Sequence, residues 1–111
     1  MKGLKTMLSF EVSATDSIAF PAENVYMIEA TGANAGAIYA NPGGVNSGTG
    51  KNLKITFNSS SGNLYKCIQE LSKVIALSDP GLVEVANTTN SFTHKACPSL
   101  VLTNLAIAIT Q

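Results

Sequence analysis

Three soft side chains could ligate a metal or act as a nucleophile: Cys67, His94 and Cys97. His94 and Cys97 have the His-x-x-Cys spacing of a local ligand pair. A structural zinc site takes four ligands, usually as two close pairs, and the second pair is missing. Cys67 falls on the apolar side of a helical pattern, where a free cysteine behaves as a small hydrophobe. No spacing motif marks a thiolate–imidazole nucleophile either, so these cysteines are expected to be structural.

The carboxylates Asp16, Glu23 and Glu29 are the next candidates, for acid–base work or for calcium. They fall in a turn and on strand surfaces, without the oxygen-rich loop that calcium requires. The stretch Gly43-Gly44 to Gly48-Thr49-Gly50-Lys51 invites comparison with a phosphate loop. It fails on spacing, on Asn52 where Ser or Thr is required, and on the strand pattern that follows in place of a helix. Lys51, Lys54, Lys66, Lys73 and Lys95, with Tyr26, Tyr39, Tyr65, Phe57 and Phe92, would make a basic, aromatic nucleic-acid face if folding gathered them together. The overall charge argues against it. Arginine is absent, and seven lysines balance seven acidic residues to a net charge of zero. Phosphate binding is driven by counterion release at a basic surface, and arginine is the side chain suited to bidentate phosphate and base-edge contacts. The sequence therefore predicts no catalytic residue, no metal, no cofactor and no small-molecule substrate, and its charge argues against a nucleic-acid partner.

The elements that carry these residues read as one domain of 111 residues. Leu8, Phe10 and Val12 alternate with Ser9 and Glu11 as in a half-buried strand. Ala14–Ser17 marks a turn, and Ile18 and Phe20 extend a short second edge ending at Pro21. Asn24–Thr31 is apolar on both faces except at Glu29, which predicts a central strand. Gly36–Ala40 is a short β segment. Asn41–Gly50, rich in glycine, reads as a flexible loop or arm. Lys51–Asn58 alternates with Leu53, Ile55 and Phe57 inward. One helix follows, with Leu64, Cys67, Ile68, Leu71, Val74 and Ile75 on one face and Lys66, Gln69, Glu70 and Lys73 on the other. Ser60, Ser61 or Asn63 can cap its start and Asp79-Pro80-Gly81 stops it. Leu82–Ala86, Ser91–Ala96 and Ser99–Thr110 read as two or three strands. The class predicted is mainly β with one helix, in the order β-β-β-β-α-β-β, forming a small strongly bent antiparallel barrel or a sandwich. One helix covers only one face of a sheet, so the sheet must curl, pair with another sheet or oligomerise.

Only 13% of residues are charged, about half the usual share. Ser, Thr, Asn and Gly supply part of the surface cover, and buried subunit interfaces, which are depleted of charge, would supply the rest. In the last strand Leu105, Ile107 and Ile109 share one face, with small Ala106 and Ala108 on the other, as where another surface lies close. Together with Val45 in the glycine-rich segment, these are the candidate interface residues. The longest apolar stretches, Leu100–Leu102 and Leu105–Ile109, are interrupted by Thr103 and Asn104 and fall short of the roughly 20 residues of a membrane-spanning helix. Met7–Val12 is broken by Ser9 and Glu11, so no export signal is expected and the two cysteines are expected as free thiols.

The opening Phe10-Glu11-Val12-Ser13-Ala14-Thr15, the strand Val25-Tyr26-Met27-Ile28-Glu29, the Gly/Thr-rich hairpin, the Lys-x-Ile strand, the single amphipathic helix and the terminal Ala/Ile strand together resemble small proteins abundant in cyanophage and marine-metagenome sequences. The resemblance is one of pattern along most of the chain. It implies a phage product with an Sm-like small barrel and an inserted helix, assembling as a homo-oligomer and in some cases a closed ring. The Sm family's RNA pocket depends on an Asp-x-φ-Asn segment and an Arg-Gly pair, and neither is found here. The expectation is thus a non-enzymatic phage structural protein, a capsid decoration or cement protein or a tail or neck component. Its partners would be copies of itself and other capsid or tail proteins. It would be made in the bacterial host cytoplasm and located in the virion, neither secreted nor in a membrane. The alternative is an Sm-like ring that binds RNA or DNA.

Overall fold

The computed structural model describes residues 5–41 and 52–110. The strands are β1 (Thr6–Ser13), β2 (Asp16–Pro21), β3 (Val25–Ala30), β4 (Ala35–Ala40) and β5 (Asn52–Ser59), then helix α1 (Leu64–Leu77), then β6 (Gly81–Asn87), β7 (Phe92–Thr93) and β8 (Leu100–Thr110). They form two four-stranded sheets, ordered β2-β1-β6-β7 and β3-β4-β5-β8. The mainly β class with a single helix is as the sequence predicts.

Several details differ. Five strands precede the helix rather than four, and three follow it. The described residues form two sheets that share one core, not one closed barrel. The sheets are not wholly antiparallel: β1 pairs with β6 in parallel, Leu8 opposite Val83. Parallel partners must be far apart in sequence, and here β2, β3, β4, β5 and α1 lie between them. The strand at Asn24–Thr31, expected to be central, is the edge strand β3, and Tyr26 and Met27 are exposed on it. The segment Ser91–Ala96 contributes only the two residues of β7.

Packing follows the alternation in sequence. Ile28, Ile38, Ile55 and Ile107 are register partners in turn and make one isoleucine row across the inner face of the second sheet. Leu53, Ile55 and Phe57 of β5 are fully buried, as are Leu8 of β1 and Val85 of β6 to within a percent. Helix α1 buries Cys67, Leu71 and Val74 against the same core, with Leu64, Ile68 and Ile75 packed at its margin. Asn63 is the N-cap residue, though its side chain turns back to donate to Ser60 Oγ rather than to the helix.

The last strand is irregular in the middle. Val101 pairs with Asn58 and Ala106 with Thr56, so four residues, Leu102–Leu105, intervene on β8 where Phe57 alone intervenes on β5. Asn104 takes a left-handed backbone there, φ 62°, a conformation that asparagine tolerates better than most residues. This bulge leaves Ala106–Thr110 as a short regular ladder at the edge of the sheet.

Candidate functional site

The residues that could do chemistry are dispersed. Cys67 and Cys97 are fully buried free thiols. Burial, with a smaller contribution from the Glu70 carboxylate, pushes Cys67 up to about 11. Burial first, then the neighbouring Cys67 and Glu70, pushes Cys97 up to about 12. Such thiols stay protonated and are poor nucleophiles. His94 Nδ1 accepts the backbone N–H of Ala96 at 3.0 Å. Among the described residues no group of three His, Cys, Asp or Glu side chains is placed to hold a metal. Asp16 is exposed at the start of β2, Glu23 pairs with Lys5, and Glu29 accepts the Tyr39 hydroxyl at 3.0 Å. The three carboxylates thus have separate roles. The phosphate-loop stretch, the flexible segment beyond Asn41, and Val45 within it lie outside the described residues.

The basic and aromatic set is likewise divided. Phe57 is in the core, Lys66 and Lys73 are on the exposed face of α1, and Phe92 and Lys95 lie in and just after β7. Among the described residues only Tyr26, Tyr39 and Lys54 come together, on the outer face of the second sheet; Lys51 lies outside the described residues. Among the described residues an open cleft of about 450 Å³ is lined by Thr6, Val25, Ile75 and Ser78 around the Lys5–Glu23 pair. No helix among the described residues is long and apolar enough to cross a membrane.

Two buried polar arrangements give little sign of themselves in the sequence. Glu70 turns inward from α1, where its carboxylate accepts the backbone N–H of Ser99 at 3.0 Å and the Ser99 hydroxyl at 3.2 Å. Asn87, only 3% exposed, donates its amide to Glu84 at 2.7 Å and Glu11 at 3.3 Å. Both satisfy buried polar groups that would otherwise destabilise the fold.

What remains distinctive is a strand edge. Each sheet has two terminal strands, and unprotected edges tend to recruit further strands. In the first sheet, β2 begins with Asp16 and ends with Pro21, and β7 is two residues long. In the second, β3 carries Glu29 and has a register shift between Val25 and Met27. The edge of β8 from Ala106 to Thr110 has no charge, proline, glycine or bulge. Of the residues singled out in the sequence, Leu105 belongs to the core at 6% exposure, and Ile107 is half-buried in the isoleucine row. Ala106 and Ala108 are exposed, and Ile109 is 52% exposed at the open end of the inner face. No family model, curated protein or solved structure matches this chain.

Proposed function

We propose that this chain is a non-enzymatic assembly protein that acts in repeated copies, joined through the Ala106–Thr110 edge of β8. The observation that carries the proposal is the contrast among the four edges: β2 carries a charge and ends in proline, β7 has only two residues, β3 carries a charge and a register shift, and Ala106–Thr110 has none of these features. A strand added there would gain main-chain hydrogen bonds, and the small outward Ala106 and Ala108 leave room for close approach. The exposed Ile109 would lose apolar surface to water in the same contact. The low charge of the chain favours the same reading, since interface cores are poor in charge. The pattern shared with small cyanophage proteins supports a virion as the setting, with the protein as a decoration, cement, tail or neck component.

Amide exchange tests this directly. Backbone N–H groups at an unpaired edge exchange with solvent, and those in a ladder are protected. Protection at Ala106–Thr110 is expected to rise with protein concentration while that of β2 stays constant. Protection at β8 that does not change with concentration contradicts the proposal.

A further inference from the structure

We propose that the outer face of the β3-β4-β5-β8 sheet binds a neutral oligosaccharide, seated on the rings of Tyr26 and Tyr39. This goes beyond the assembly reading and does not depend on it.

Met27, Tyr39, Lys54 and Ala108 are register partners in turn and form one outward row across all four strands. At about 4.8 Å per strand the row spans about 14 Å, the length of a short oligosaccharide. Tyr26 projects from the register shift beside it and is 58% exposed. Its ring centroid is 6.3 Å from that of Tyr39, with the planes 36° apart, so the two rings do not cover one another. Each phenol is pinned by a hydrogen bond that fixes its ring: Tyr26 donates to Asn52 Oδ1 at 3.1 Å and Tyr39 to Glu29 Oε1 at 3.0 Å. Lys54 Nζ lies 5.8 Å from the Tyr39 centroid, within cation–π range. The neighbouring row runs Glu29, Ala37, Thr56 and Ala106, whose last three side chains are short, and Ala37 among them is fully buried.

The ligand class follows from this chemistry. A tyrosine ring carries negative charge density on its face and attracts the weakly positive C–H groups that line one side of a sugar ring. Around the rings stand a donor, Lys54, and acceptors, the Glu29 carboxylate and the phenol oxygens, which suit hydroxyls that both donate and accept. One ammonium and one carboxylate leave the described part of this face neutral. A single-stranded nucleic acid would use the same rings for its bases, but Glu29 would repel its phosphates, and among the described residues of this face Lys54 is the one cation to neutralise them. A neutral glycan meets no such opposition.

The chain has no tryptophan, so tyrosine fluorescence reports on the site. The test titrates the full chain with neutral hexasaccharides of glucose, mannose, galactose and N-acetylglucosamine, and separately with poly(dT). At least one hexasaccharide is expected to change the fluorescence saturably, with an affinity that does not move between about 50 and about 500 mM salt, where charge interactions are strongly screened. Tyr26→Ala should weaken it by about tenfold or more, consistent with the loss of one aromatic contact. Tyr39→Phe, which keeps the ring and removes the bond to Glu29, should weaken it less. Tyr65→Ala, on α1 and 75% exposed, should leave it unchanged, and circular dichroism shows whether each variant is folded. No response to any of the four sugars overturns the proposal, and so does equal weakening by Tyr65→Ala. Salt-sensitive binding of poly(dT) assigns the face to nucleic acid instead. Loss of self-association in Tyr26→Ala assigns it to contact between copies.

Discussion

The ring of Phe57 occupies the space that a β-carbon on Gly36 would need. The two residues are partners across β4 and β5, and a β-carbon at position 36 would stand 2.6 Å from Phe57 Cζ and 3.0 Å from the carbonyl oxygen of Glu29. Phe57 is fully buried in the middle of the core and has nowhere to retreat. The glycine therefore lets an aromatic ring lie directly on its backbone.

Gly36→Ala should destabilise the fold. Two effects oppose each other: alanine restricts the unfolded chain, worth about 0.4–1 kcal/mol in its favour, and overpacking the core costs about 1–3 kcal/mol. With a contact well inside van der Waals distance against a ring and a carbonyl, overpacking dominates. A thermal melt should show the midpoint lowered by several degrees, at about 4–8 °C per kcal/mol for a small domain. An unchanged midpoint would show that the ring has room to move.

The two faces of α1 should respond oppositely to substitution. Leu71, 1% exposed at mid-helix, meets the core. Leu71→Asp buries an unpaired carboxylate at a cost of several kcal/mol, comparable with the total stability of roughly 5–15 kcal/mol of a typical domain. The variant should be unfolded by circular dichroism. Lys66→Ala and Lys73→Ala, on the exposed face, should each change stability by no more than about 0.5 kcal/mol. Similar losses for all three would mean that the helix does not pack as described.

Local periodicity made β5 and α1 legible from sequence, because both repeat apolar residues without interruption. Leu53, Ile55 and Phe57 are buried as their alternation predicts, and Cys67, Leu71 and Val74 as their helical spacing predicts. The turn after β1, the edge position of β2 and the free thiols were legible for similar local reasons. What could not be read is set by partners distant in the chain. Nothing near Leu8 says that it will lie beside Val83 in a parallel ladder. Tyr26 and Met27 look like core residues of a central strand until the sheet order leaves β3 at the edge. Glu70 is placed on the solvent side by its charge, and only the approach of Ser99 gives its carboxylate two donors. On the candidate surface, Ala106 and Ala108 were found by alternation, but the bulge at Asn104 that limits the ladder to Ala106–Thr110 has no comparable signal.

The buried thiols make stability fall at high pH. Both pKa values are raised by burial above the ordinary 9.0, to about 11 for Cys67 and about 12 for Cys97. Above about pH 9 the unfolded chain releases thiol protons that the folded chain retains, so unfolding becomes easier. The stabilisation is complete below pH 9 and is lost as pH climbs through the folded values. Urea midpoints measured from about pH 8 to about pH 10.5 should fall more steeply for the parent than for Cys97→Ala, which removes the larger of the two shifts. Parallel slopes would show that Cys97 keeps an ordinary pKa. In a separate urea series at neutral pH a thiol reagent should label both cysteines only as the protein unfolds.

The central claim is that Ala106–Thr110 joins one copy of this chain to another, and sedimentation of the purified protein tests it most directly. At high micromolar concentration the parent chain should sediment as an oligomer, unaltered by a metal chelator. Ala108→Lys, which sets an ammonium into the contact without touching the core, should remain folded and sediment as a monomer, because a charge buried there without a partner is costly. A parent chain that sediments as a monomer under those conditions contradicts the account.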